Sequence, residues 1–150
     1  MKVSIILNER LTTFEIEPGD YLLDTLRKHH ITSVKKACDG STCGVCTVLM
    51  NDRPILACTL LSVRAEGQHI TTVEGIYDEV EKVSHYFGEE GADQCGFCNP
   101  GMALMAYALK RTYQKLSDQQ IKDFLVGNLC RCSGYEAQFK AIKQYLEDFS

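Results

Sequence analysis

Eight of the 150 residues are cysteine, and their spacing is the strongest chemical signal in the chain. Cys38, Cys43, Cys46 and Cys58 lie in the first half, and Cys95, Cys98, Cys130 and Cys132 in the second. An even number raises a disulfide framework first. Against it, the N-terminal MKVSIILNER turns polar within ten residues and shows no signal-peptide core, so the expected location is the cytoplasm, where thiols stay reduced. A chain of this length also buries an adequate core without staples. The cysteines therefore read as metal ligands, and two quartets imply two centres.

Cys38-x4-Cys43-x2-Cys46, with Cys58 arriving later from a separate segment, is the plant-type ferredoxin spacing for a [2Fe–2S] cluster. Three thiolates from one tight loop hold one side and a fourth closes the other. The centre is anionic, so it needs donors, and Gly40 and Gly44 allow backbone N–H groups to approach the sulfurs. Plant-type clusters lie at roughly −400 mV, which makes such a centre an electron carrier. A zinc site of four cysteines is the competing reading, but zinc sites usually join two close Cys pairs, and Cys58 stands alone. A Rieske centre needs two histidines, and His29, His30, His69 and His85 are not interleaved with the cysteines.

The second quartet is two short pincers, Cys95-Gly-Phe-Cys98 and Cys130-Arg-Cys132. Spacing alone leaves zinc and iron–sulfur both open. Each pincer precedes an expected helix, whose N-terminal N–H groups and dipole suit an anionic centre.

The elements that must carry these loops are legible from periodicity. Val3, Ile5 and Leu7 alternate onto one face, as do Thr12, Phe14 and Ile16, with a hairpin turn expected at Asn8-Glu9-Arg10. Asp20 is placed to cap a short helix bearing Leu22, Leu23 and Leu26. Strands are expected over 47–50 and 53–57 around Asn51-Asp52, and near 69–73. This is an α+β pattern on a mixed sheet. The second half reads as helical, beginning with a weaker stretch over 78–87. Met102, Met105, Ala106, Leu109 and Tyr113 form a stripe behind an Asn99 cap and Pro100 at the first helical position. Ser117 and Gln120 form a capping box ahead of Ile121, Phe124 and Leu125, with Gly127 as the stop. Phe139, Ile142, Tyr145, Leu146 and Phe149 stripe a last helix from about residue 135. The division falls near 74–78, giving domains 1–75 and 76–150.

Composition closes off other classes. At 45% hydrophobic and 24% charged, the chain is expected to be globular and ordered. No stretch approaches the ~20 apolar residues of a membrane span. A net charge of −4 lacks the basic footprint of a nucleic-acid binder.

Three motifs together resemble the iron–sulfur small subunit of the molybdenum hydroxylases, the xanthine dehydrogenase, aldehyde oxidoreductase and carbon monoxide dehydrogenase family. They are Cys38-Asp-Gly-Ser-Thr-Cys43-Gly-Val-Cys46-Thr-Val, Gln94-Cys95-Gly-Phe-Cys98-Asn-Pro-Gly-Met102 and Gly127-Asn-Leu-Cys130-Arg-Cys132-Ser-Gly-Tyr135. The resemblance implies a β-grasp, plant-type ferredoxin-like domain followed by a four-helix domain, each holding a [2Fe–2S] cluster. It implies a large partner subunit carrying molybdopterin and a medium one carrying FAD. Electrons would pass from molybdenum to the helical-domain cluster, then to the ferredoxin-like cluster and the flavin. It implies too that Cys132 lies near the pterin and Gln94 near the molybdenum cofactor. Departures are Asn99 and Ser133 where the family usually has Thr, and Ser41-Thr42 where many members have a Gly-Glu-like pair. A free-standing ferredoxin-type carrier and a zinc-stabilised interaction module are the alternatives. The helical half argues against a simple carrier, which needs no second cluster.

Overall fold

The computed structural model describes residues 1–113 and 115–148. Alternating apolar residues build the sheet. In β1 (Lys2–Leu7), Val3, Ile5 and Leu7 are buried, and β2 (Arg10–Glu15) pairs antiparallel with it, Leu7 opposite Arg10. The turn is only Asn8 and Glu9, both with positive φ, as a two-residue hairpin requires. Arg10 therefore belongs to the strand and not to the turn. Asn51 and Asp52 make the same turn between β3 (Thr47–Met50) and β4 (Arg53–Leu56). With β5 (His69–Thr71), which runs parallel to β1 and antiparallel to β3, the sheet order is β2-β1-β5-β3-β4.

Helix α1 (Leu22–Lys28) buries Leu22, Leu23 and Leu26 against this sheet. Its cap is Tyr21 and not Asp20. The Asp20 carboxylate instead accepts the backbone N–H of Glu17 at 2.8 Å, closing the preceding turn.

Four helices follow: α2 (Tyr77–Glu89), α3 (Asn99–Thr112), α4 (Asp118–Leu125) and α5 (Glu136–Glu147). The Ser117–Gln120 capping box at α4 forms as expected. Helix α3 begins one residue earlier than expected, with Cys98 as its cap, Asn99 in the first turn and Pro100 after it. Met102, Met105, Ala106 and Leu109 are buried, but Tyr113 lies beyond the helix in extended backbone and is 47% exposed. Phe149 lies outside the described residues.

Sheet and helices each enclose an apolar core, and a third cluster joins them, with Leu49 of β3 packed on Leu104 and Ala108 of α3. Inside the helical half, Glu79 of α2 ties three helices together. It accepts Lys82 at 2.6 Å, Lys110 of α3 at 2.7 Å and the Tyr145 hydroxyl of α5 at 2.5 Å. Burial alone pushes this carboxyl up, but the two ammonium groups and the phenol outweigh it and hold it near 2. A carboxylate depressed in the folded state contributes stability above its ordinary value of 4.5 and loses it as pH falls toward 2. Glu79→Gln should therefore cost about 2 kcal/mol at pH 7. That deficit should shrink as pH falls from 4.5 toward 2. Urea unfolding of the two proteins at pH 7, 4.5 and 3 checks this, and a pH-independent difference would contradict it.

Candidate metal centres

The first quartet is assembled by a loop and a hairpin. Cys38 and Cys43 sit on the loop after α1, and Cys46 ends that loop directly before β3. Cys58 follows β4, and the antiparallel register of β3 and β4 carries it back. Thr47 stands opposite Leu56, and the Ala57 N–H donates to the Cys46 carbonyl at 3.2 Å. The eleven residues between Cys46 and Cys58 are thus one hairpin, which explains how a solitary fourth cysteine reaches the site.

Cys38 interacts with Cys43 and Cys46 with Cys58, and Cys43 is close enough to act on Cys46 as well. The second quartet does the same, Cys98 with Cys130 and Cys95 with Cys132. Here Cys98 caps α3, and the 130–135 loop folds back so that Tyr135, in the left-handed region at φ 70°, opens α5. Two thiolates for each of two irons is what a four-cysteine binuclear cluster needs. Among the described residues, no group of three His, Cys, Asp or Glu side chains is arranged around a single-ion position.

The donor chemistry fits an anionic centre. Beside Cys38, the Cys43 thiol and the backbone N–H groups of Thr42 and Cys43 hold the Cys38 thiol down at about 6. Burial pushes Cys130 up, but the Ser133 hydroxyl and backbone N–H groups of Ser133 and Cys132 outweigh it and bring it to about 7. Burial pushes Cys46 and Cys98 up to about 11, so these ionise only when a cation repays the desolvation. The Gln138 amide donates to Cys98 Sγ at 3.2 Å, and the Ser41 hydroxyl lies 3.6 Å from Cys58 Sγ. Ser41 holds φ 56°, a conformation costly for a residue with a side chain. Asn99 does not cap α3. Its amide donates to Asp93 at 2.9 Å.

Two of these features escape sequence reasoning. Gln138 lies one and two turns from Ile142 and Tyr145 on the buried stripe of α5, so a polar residue at a core position is its only signal. Asn128, 4% exposed, hides between Gly127 and the Cys130 pincer. Its amide donates to the Gly44 carbonyl at 3.0 Å and to the Thr47 hydroxyl at 3.3 Å. Beside it the Leu129 N–H donates to the Cys43 carbonyl at 2.8 Å. The two thiol loops are thus bolted to each other. Gly44, at φ 71°, allows this approach, because a Cβ there would lie 2.3 Å from the Gly127 carbonyl oxygen. Gln94, by contrast, is exposed and donates to the Gly91 carbonyl at 3.0 Å, and Cys95 and Cys132 are exposed beside it.

Asn128→Ala removes two buried hydrogen bonds, while the Gly44 carbonyl keeps its Thr47 donors, and should cost about 2 kcal/mol. The loss should appear as a lowered midpoint in urea. Gly44→Ala should be worse, since it adds left-handed strain to a backbone clash. An unchanged midpoint in both would contradict the close fit of the two loops.

Comparison with known proteins agrees with this arrangement. Residues 5–70 match a 2Fe-2S iron-sulfur cluster binding domain, and residues 72–143 match a [2Fe-2S] binding domain. The chain is 37% identical over 148 residues to the nicotinate dehydrogenase small FeS subunit of Eubacterium barkeri, covering 97% of this chain and 94% of that one. It is 41% identical over 123 residues to the xanthine dehydrogenase iron-sulfur-binding subunit of Escherichia coli O157:H7, covering 79% and 77%. Its fold superposes on the crystal structure of an aldehyde oxidoreductase from Desulfovibrio desulfuricans with a TM-score of 0.91 at 32% identity, over 99% of this chain and 17% of that one. The chain belongs to the iron–sulfur small subunits of the molybdenum hydroxylase, or xanthine dehydrogenase, family.

Proposed function

We propose that this chain is the electron-transferring subunit of a molybdenum hydroxylase, divided into a ferredoxin-like unit (1–75) and a helical unit (76–150). In this reading Cys38, Cys43, Cys46 and Cys58 hold one [2Fe–2S] cluster. Cys95, Cys98, Cys130 and Cys132 hold the other. When bound, each cluster takes up and gives on one electron at a time. The observation that carries the reading is the pair of thiol quartets, each arranged two and two, on loops joined by the Leu129–Cys43 and Asn128–Gly44 hydrogen bonds. A free carrier has no use for two centres locked in series.

The chain's own residues position the centres, limit water and tune potential, while the hydroxylation belongs to a partner. The family's small subunits work with larger partner subunits or domains. We assign the molybdopterin to a large subunit and FAD to a medium one. Cys132 and Gln94, both on the surface beside the helical quartet, would face the pterin side. Two residues along the chain from Cys132, Gly134 lines a largely apolar groove of about 480 Å³ with Met102, Leu125, Val126, Leu129 and Phe139. Val126 is 78% exposed, and such a patch suits partner docking. Among the described residues no helix is long and apolar enough to cross a membrane. Eight free thiols fit the reducing cytoplasm, where we place the protein.

Two experiments test this. Cys98→Ser should lose about half of the iron and one of two spectroscopic signals, and unchanged iron content would contradict the assignment. Expressed with its neighbouring genes, the chain should co-purify with a molybdenum-containing chain. Elution as a lone carrier that accepts electrons from no molybdenum chain would favour the ferredoxin alternative.

A further inference from the structure

Gln138 is an expensive residue in an unexpected place. It is 2% exposed, on the first turn of α5, and its Nε2 lies 3.2 Å from the Sγ of Cys98, itself 8% exposed. Its Oε1 is fully buried and accepts a hydrogen bond from no described residue. A half-satisfied buried amide is costly, and an apolar side chain of the same length would fill the space beside Met102 and Leu125 without that cost. A neutral thiol, a poor acceptor, repays little of it. A thiolate repays much more, because charge strengthens the bond. It also fixes the orientation of the amide, since a thiolate has no proton to offer Oε1 and can only accept from Nε2.

Resting on the cluster assignment above, we infer that Gln138 is a positioning residue that raises the reduction potential of the centre held by Cys98. One electron added to that centre increases the negative charge on the Cys98 sulfur, so the N–H···S bond is stronger in the reduced state than in the oxidised one. The electron comes from the partner that oxidises substrate and leaves to the next acceptor. Gln138 keeps both its amide protons throughout. The effect is local, because the amide reaches no thiol of the other quartet.

The test is an EPR-monitored redox titration of the assembled enzyme carrying Gln138→Met or Gln138→Glu. Gln138→Met keeps the length and removes the donor, so the reduction equilibrium of one centre should fall about tenfold, ~59 mV for one electron. The other centre should stay in place, and the melting temperature should be equal to or above that of the wild type. Gln138→Glu puts a carboxyl there that burial beside an anionic centre keeps protonated and able to donate, so its potential should lie nearer the wild type than that of Gln138→Met. If both centres are present and neither potential moves, or both move together, the inference is wrong and Gln138 is a packing residue. If the wild type shows no iron–sulfur signal at all, the underlying assignment fails and takes this inference with it.

Discussion

One carbonyl organises the molecule. The Gly44 C=O accepts the Thr47 N–H at 3.1 Å, the Thr47 hydroxyl at 2.7 Å and the Asn128 amide at 3.0 Å. The first two fix the loop that carries Cys43 and Cys46, and the third brings in the loop that carries Cys130. Helix α3 presses Gly101 in as well, so close that a Cβ there would stand 3.0 Å from the same oxygen and 3.2 Å from the Asn128 amide nitrogen. The two thiol-bearing loops are joined here by backbone and a buried amide, and the exposed Arg111–Asp52 ion pair between α3 and the β3–β4 turn adds little, since salt screens it. The shared cluster of Leu49, Leu104 and Ala108 adds an apolar contact between sheet and helices.

Around that joint the thiols divide by environment. Cys38 and Cys130 are ready to ionise near neutral pH, whereas Cys46 and Cys98 are buried and reluctant. Under the proposed ligand sets, each quartet would combine a thiol that ionises readily with a buried one that a nearby cation would help to ionise, so metal binding and site formation would be coupled. Low dielectric around the buried pair sharpens every donor that reaches a sulfur.

Much of this was legible in the residues. The hairpin β1–β2, the helix stripes and the Ser117 box follow from periods of two and 3.6 and from capping chemistry, all local. The grouping of the thiols into two quartets was legible in cysteine spacing, and the structure brings the members of each quartet near one another. What was not legible depends on distant partners. Asp20 could cap a helix by its type, but the turn at Glu17 claimed it first. Nothing near Asn128 indicates that its partner is 84 residues away at Gly44. Gln138 lay open to a stricter use of helical periodicity, because its position on the stripe is buried while its side chain is polar. Tyr113 continued the stripe of α3 by arithmetic, but the chain turns extended there and leaves the ring half-exposed.

The central claim is that one rigid chain holds two distinct binuclear iron centres. Its most direct test is metal and sulfide analysis of anaerobically prepared protein, combined with EPR integration after full reduction. The account predicts about four irons and four acid-labile sulfides per chain, and two different signals each integrating to about one spin. Zinc without sulfide, or a single signal of one spin, would contradict it.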